Sequence, residues 1–283
     1  MRAEINKFLD GGKLKNSILF IGDIVGEPGL NAVRDHISNL IEKYEADFVI
    51  ANGENVTNGK GITKDEAEEL FKLGVDVITT GNHIWDNWHS RPLIAQDDRI
   101  LRPYNYPQGN PGRGYKISQS KKGNQIAVVQ LQGRSFMYPI DCPFKSIDYV
   151  INNVQSKAKV IIVDFHAEAT AEKIAMGWHT DGRISALLGT HTHVQTADAC
   201  LLPNGTAYIT DVGMTGPYDS VLGLDKSVAL KRFTLQTAHK YKLAENDVHL
   251  CGVHLLVDSD TGQALKISSF IIPEFEKSIY EKS

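Results

Sequence analysis

Asp23, Glu54-Asn55, Asn82-His83, His166 and the pair His191 and His193 share a chemistry: each offers an oxygen or an imidazole nitrogen to a metal ion. Cysteine is absent from these clusters, which favours hard or borderline ions over thiolate-held zinc. Ions held by such donors polarise bound oxygens and acidify water. Each cluster alone also has a plainer reading. Asp23 behind a strand serves as a turn former or helix cap. Glu54-Asn55 in a Gly/Asn-rich loop reads as a solvated turn, and His166 as a hydrogen-bonded histidine. In an extended segment His191 and His193 project to the same side, because side chains alternate with a period of two, yet a bare His-x-His also arises by chance. Gly81-Asn82-His83 is the hardest to explain blandly. The conjunction is what argues for a site, because all of these residues close predicted strands.

The elements that position them alternate. Ser17–Ile21 is a short apolar run that reads as a buried strand and ends at Gly22-Asp23. Pro28 suits a first helical turn, and Leu30, Val33, Ile37, Leu40, Ile41 and Tyr44 follow at helical spacing. Phe48–Ala51 is a second strand leading into Asn52-Gly53-Glu54-Asn55. Thr63 and Glu66 form a capping box for a helix through Leu73, stopped by Gly74. Val75–Thr79 then delivers Gly81-Asn82-His83. This alternation predicts an α/β fold with a parallel sheet, whose ligands gather beyond the carboxyl ends of the strands. Farther on, strands are expected at Ile126–Leu131, Val160–Phe165, Ile184–Gly189 and Ala207–Thr210, with a helix around Ala171–Met176. His249–Val257 and Leu265–Ile272 flank Asp258–Gly262 as a hairpin. The Gly/Pro-rich stretch 104–115 is too short to separate domains. The expectation is an N-terminal extension over 1–15 and one domain over 16–283.

Bulk properties narrow the function. A formal net charge of -4 and a pI near 6.2 argue against a basic nucleic-acid-binding face. A small phosphate-bearing substrate stays compatible, because bound metal supplies positive charge. Cys142, Cys200 and Cys251 are far apart and odd in number, which fits neither a disulfide framework nor a zinc knot and suits a reducing cytoplasm. No apolar run approaches the roughly 20 residues of a membrane span, and no signal peptide is recognisable.

The stretches IGDIVGEPG, ANGENVTNGKGIT, TTGNHIWD, DFHAEAT, DGRISALLGTHTHVQTAD and DVGMTGP occur in that order between about Ser17 and Pro273. They resemble the calcineurin-like metallophosphoesterases and, more closely, their bacterial branch of YmdB-like 2′,3′-cyclic-nucleotide phosphodiesterases. Two departures from the wider superfamily fit this branch. Asp23-Ile24-Val25 stands where Asp-x-His is usual, and Glu54 replaces the bridging aspartate.

The resemblance implies a four-layer α/β/β/α sandwich with two mixed sheets and the site at strand carboxyl ends. It implies two metal ions, iron or manganese before zinc. Asp23, Glu54, Asn55 and His193 would hold one. Glu54, Asn82, His166 and His191 would hold the other, with Glu54 as the bridge. The implied reaction is hydrolysis of 2′,3′-cyclic nucleotides, extending to 3′,5′-cyclic ones, by a metal-bridging hydroxide. His83 is the candidate general acid, and its alternative role is to orient a ligand from behind. A phosphomonoesterase or phosphoprotein phosphatase is the second enzymatic reading, since the ligands do not encode the substrate. A regulatory protein acting through partner binding is the third. The expected partner is a small phosphodiester, without stable nucleic-acid or membrane binding; association into a homo-oligomer is left open. Of the remaining residues, Arg113 and Tyr115 read as loop groups that could touch substrate, and Asp211–Pro217 as a segment that could line the pocket. Phe136, Met137, Tyr138 and Phe144 read first as core packing, with a base-binding lip or an oligomer contact as alternatives. His179 is the unassigned histidine placed nearest the site.

Overall fold

A computed structural model describes residues 15–275. Apart from Lys15, the expected N-terminal extension lies outside the described residues.

The first half follows the predicted alternation. Strand β1 (Lys15–Ile21) runs through a two-residue strand, β2 (Asp23–Ile24), into helix α1 (Gly26–Lys43). Strand β3 (Phe48–Asn52), helix α2 (Lys64–Lys72) and strand β4 (Val77–Thr79) follow. The Thr63/Glu66 capping box is present: the Thr63 amide donates to Glu66 Oε2 at 2.7 Å, and the Glu66 amide donates back to Thr63 Oγ1 at 3.4 Å. A 3-10 turn at Asn82–Trp85 and a short helix, α3 (Ser90–Gln96), lead to β5 (Ile100–Leu101). Strands β1, β3, β4 and β5 are mutually parallel neighbours.

The second half builds another sheet. An antiparallel hairpin joins β6 (Tyr115–Gln119) to β7 (Gln125–Gln132). Helix α4 (Pro143–Val154), β8 (Val160–His166), α5 (Thr170–Thr180) and β9 (Ala186–Thr190) continue the alternation. Strands β10 (Cys200–Leu201) and β11 (Ala207–Ile209) close it, giving the order β10-β11-β9-β8-β7-β6. The chain then returns to the first sheet through β12 (Met214–Pro217), helix α6 (Lys226–Leu235), β13 (Val248–Asp258) and β14 (Ala264–Ile272). That sheet has the order β2-β12-β13-β1-β3-β4-β5, with β14 paired to β13. Because β13 runs antiparallel to β1, the sheet is mixed rather than purely parallel. The return of the last hairpin to the first strand is a long-range pairing that local pattern does not encode.

Three apolar clusters hold this together. Ile18, Phe20, Phe48 and Ile50 of one sheet meet Ile126, Val128, Ile162 and Leu188 of the other. Leu30, Val33 and Ile37 of α1 pack with Leu70 of α2 on Leu19, Ile21 and Val49. Ile147, Val150 and Met176 pack on Val129, Val163 and Phe165. Strands β3 and β8 are therefore buried on both faces, which explains their unbroken apolar runs. Among the described residues, no helix is long and apolar enough to cross a membrane, and the three cysteines are unpaired.

Candidate metal centre

Each expected ligand leaves the end of a strand. Asp23 follows β1, Glu54 and Asn55 follow β3, and Asn82 opens the turn after β4. His166 closes β8, while His191 and His193 follow β9. The two sheets aim these ends at a common point, and His166 is its centre. Its Nε2 lies 3.0 Å from Glu54 Oε1, 3.1 Å from Asn82 Oδ1 and 3.0 Å from His191 Nδ1. Asn55 Nδ2 sits 3.2 Å from Glu54 Oε1 and 3.4 Å from His193 Nε2. Asp23 Oδ2 accepts from the His191 amide at 3.1 Å, while its buried Oδ1 has no hydrogen-bond partner. All seven residues are thus joined in one cluster. Among the described residues, Glu54, His166 and His191 form a carboxylate–histidine group whose ligand atoms all lie within 4.8 Å of one another.

The expectation that His191-Thr192-His193 is extended is corrected. Strand β9 ends at Thr190, and both histidines have positive φ, 98° and 63°. Bulky residues seldom adopt this backbone, and such strain gathers at functional sites. The rings diverge instead of lying side by side. His191 faces His166, and His193 faces Asn55 while its Nδ1 lies 3.3 Å from Leu222 O.

Supporting contacts fix the histidine rings. His166 Nδ1 meets Thr190 Oγ1 at 2.9 Å; Thr190 donates to Asp164 Oδ1, and Asn52 donates to Asp164 Oδ2. His191 Nε2 lies 3.1 Å from Glu168. Lys173, wholly buried, donates to Asp211 Oδ2 at 2.8 Å; that oxygen also accepts from the Thr192 amide and hydroxyl. The strained loop is therefore anchored between its two histidines. Sequence reading missed Lys173, Asp164, Thr190 and Glu168, since nothing local distinguishes a buried Lys on an amphipathic helix, or a polar residue in a strand or turn, from a surface one.

Gly81 explains the Gly-Asn-His triplet. A Cβ there would sit 2.3 Å from the His166 ring and 2.4 Å from Glu54 Oε2, so no side chain fits. The His83 amide donates to Glu54 Oε2 at 3.1 Å, and its Nδ1 lies 2.9 Å from Asp86 Oδ2. With about a third of its side chain exposed, His83 stands at the mouth of the site rather than inside the cluster.

The electrostatics are those of crowded donors. Burial would lower the His166 pKa, but Glu54, Asp23 and Asp164 overcome it and push it up to about 9. Burial would raise the Glu54 carboxyl, yet His166 beside it holds it well below the usual range. Burial, then the charge on His166, pushes His191 down to about 3. Burial also lowers His193 and raises Asp23 well above its ordinary value. A single proton on His166 Nε2 cannot satisfy three acceptors at 3.0–3.1 Å. A cation can, and the free Oδ1 of Asp23 adds an unused donor. The residues present therefore fit a metal. Asn82 aims its oxygen inward, whereas Asn55 would have to turn its amide to present Oδ1.

The cavity over the cluster measures about 560 Å³, and Lys60, Arg232 and Tyr241 bring it a cationic and hydroxylic wall. Arg232 comes from α6; its Nη2 donates to His239 O, and its buried Nε has no partner. Other residues singled out from sequence lie elsewhere. Arg113 is exposed, with its backbone bridged to Leu101, and Tyr115 packs against Tyr104. His179 pairs with Asp148 and meets Phe144 edge-on at 5.4 Å, so Phe144 is core as expected. Phe136 and Tyr138 contradict the core reading, being 93% and 72% exposed.

A mixed α/β fold that gathers carboxylates, amides and imidazoles at the ends of its strands defines a protein of the metal-dependent phosphoesterase type. The model of the family described as YmdB-like protein matches residues 19–270. A 2′,3′-cyclic-nucleotide 2′-phosphodiesterase of Bacillus subtilis is 47% identical over 90% of this chain and 96% of its own. Crystal structures of a hypothetical protein from Thermus thermophilus and of a novel phosphatase from Mycoplasma pneumoniae superpose with TM-scores of 0.84 and 0.87. They share 41% and 34% identity, over 90% and 92% of this chain and 98% and 94% of theirs. The chain belongs to the YmdB-like family.

Proposed function

We propose that this protein is a phosphodiesterase that hydrolyses 2′,3′-cyclic nucleotides at a two-metal site, with 3′,5′-cyclic nucleotides as a second substrate class. The observation that carries the reading is the convergence of Glu54, Asn82 and His191 on His166 Nε2. Asp23, Glu54, Asn55 and His193 would hold one ion, and Glu54, Asn82, His166 and His191 the other. Two carboxylates, two amides and three imidazoles suit iron or manganese, with zinc compatible. Bound there, the ions supply an acidified water and neutralise charge on the phosphoryl oxygens.

The protein's own groups do the rest. Lys60 and Arg232 face an anionic ester across the cavity. Asp86 Oδ2 accepts a hydrogen bond from His83 Nδ1–H, which leaves an Nε2–H of the imidazolium to protonate the departing ribose oxygen. Lys60 donates to the same Asp86 oxygen at 2.9 Å. The main-chain bond from His83 to Glu54 ties the acid to the cluster.

We also read the three apolar clusters as the seams of a four-layer α/β/β/α sandwich and residues 16–283 as one domain, located in the cytoplasm. The decisive experiment joins elemental analysis of protein purified without added metal to a turnover screen. The screen covers 2′,3′- and 3′,5′-cyclic nucleotides and nitrophenyl phosphate. Two ions per chain and preference for the 2′,3′-cyclic diester are expected. Fewer than one ion under every loading condition, or a preference for the monoester, overturns the reading.

A further inference from the structure

We infer that Phe136 and Tyr138 form a stacking wall for the nucleobase of the substrate, and so set selectivity among cyclic nucleotides. The inference rests on the phosphodiesterase reading above.

The segment 133–141 leaves the end of β7 beside the metal cluster. Phe136, Met137, Tyr138 and Pro139 line a cavity of about 390 Å³ whose remaining walls are Asn82 and His191. That volume falls in the range of roughly 300–1,000 Å³ usual for small-molecule sites. His191 also lines the larger cavity over the cluster, so the two spaces adjoin through its ring. They divide by chemistry. The larger is lined by Lys60, Arg232 and the donors Glu54, Asn55, His191 and His193, which suit a phosphate. In the smaller, Phe136, Met137, Tyr138 and Pro139 supply an aromatic and aliphatic wall opposite Asn82 and His191, which suits the flat apolar face of a base. A cyclic nucleotide has the same division.

The wall is held in place, although its side chains lack cover. The Gly133 amide donates to His166 O at 2.9 Å, and the Arg134 and Ser135 amides donate to the carboxylate of Glu172. A Cβ on Gly133 would lie 2.6 Å from Ala167 Cβ and 2.7 Å from Glu172 Oε2, so the segment passes close against the turn after β8 and the first turn of α5. At the far end the Asp141 amide donates to Asn105 O, and Asn105 Nδ2 reaches back to Gln132 O and Asp141 O. Between these anchors Phe136 sits at a φ of 62°, in the left-handed region that bulky residues avoid. An anchored loop that presents two open aromatic rings beside a phosphate-binding cavity is pre-organised for stacking.

The test compares wild type with Phe136→Ala, Tyr138→Ala and the double variant. Substrates are 2′,3′-cyclic AMP, 2′,3′-cyclic CMP and base-free ribose 2′,3′-cyclic phosphate. The quantity read is the ratio of kcat/KM for cyclic AMP to that for the base-free ester. It should fall about tenfold in a single variant, as expected for the loss of one stacking contact. The advantage of adenine over cytosine should shrink with it. Binding of 3′-AMP, measured by calorimetry, should weaken in step. Both rings are solvent-exposed, so thermal unfolding should not change. An unchanged ratio in an active double variant overturns the wall while leaving the phosphodiesterase reading intact. A dimer that dissociates in the variants by sedimentation, with the ratio unmoved, assigns the rings to a second copy and also overturns it. A wild type that hydrolyses none of the three substrates removes the underlying reading, and this inference with it.

Discussion

Replacing Lys173 with methionine isolates what holds the histidine loop. The two side chains have similar length, so the change removes the charge and keeps most of the volume. Asp211 would keep its bonds from Thr192 and Gly213 but lose its counter-charge at 2.8 Å, with both partners wholly buried. Breaking a buried pair from one side costs about 3–5 kcal/mol. For a chain of this size that corresponds to a fall of about 6–20 °C in the unfolding midpoint. Adding Asp211→Asn removes the orphaned charge, so the double variant should recover much of the loss. A coupling of about 2–3 kcal/mol is expected for groups in direct contact. Because Thr192 lies between His191 and His193, the single variant should also bind manganese more weakly. Thermal unfolding and manganese calorimetry on the full cycle make the measurement. A Lys173→Met protein within about 1 kcal/mol of wild type, or strictly additive effects, would refute the argument.

His83→Ala should retain its metal and lose about 10²–10⁴-fold in turnover of a cyclic nucleotide, but far less with a nitrophenolate leaving group; equal losses on both would show that His83 is no acid. Gly81→Ala should abolish metal uptake in a chain that still folds, since the new methyl lands 2.3 Å from the His166 ring; full metal content by elemental analysis would contradict this. Burial, helped by Lys266, lowers the His254 pKa from 6.5 to about 4 in the folded state. The folded chain therefore binds fewer protons than the unfolded one. The contribution is complete above pH 6.5 and is lost as pH falls toward 4, by at most about 3 kcal/mol. His254→Phe should flatten urea-unfolding stability across that window while keeping the stack on Tyr44, whose ring lies 4.3 Å away.

Local rules carried the sequence reading a long way. Periodicity located β1, α1, β3 and β8, because strands covered on both faces must be continuously apolar. The Thr63–Glu66 box spans three residues and was legible for that reason. The hairpin of β13 and β14 was marked by its turn. By contrast, β2 is two residues long and exists because it pairs with β12, 191 positions away at Asp23 and Met214, while β12 is held in turn by β13. No local pattern encodes such a partner.

The site divides in the same way. Sequence alone determined which side chains offer donors and that each closes a strand, because donor chemistry belongs to the residue and strand ends follow from hydrophobic pattern. Their convergence on His166, the divergence of His191 from His193, the burial of Lys173 against Asp211 and the exposure of Phe136 were decided only by tertiary structure. Each of these depends on a contact made far along the chain. Lys173 is buried because Asp211 arrives beneath the loop from another strand end. Phe136 is exposed because Glu172 and Asn105 anchor the loop on either side of it, and its hydrophobicity does not decide which way it faces.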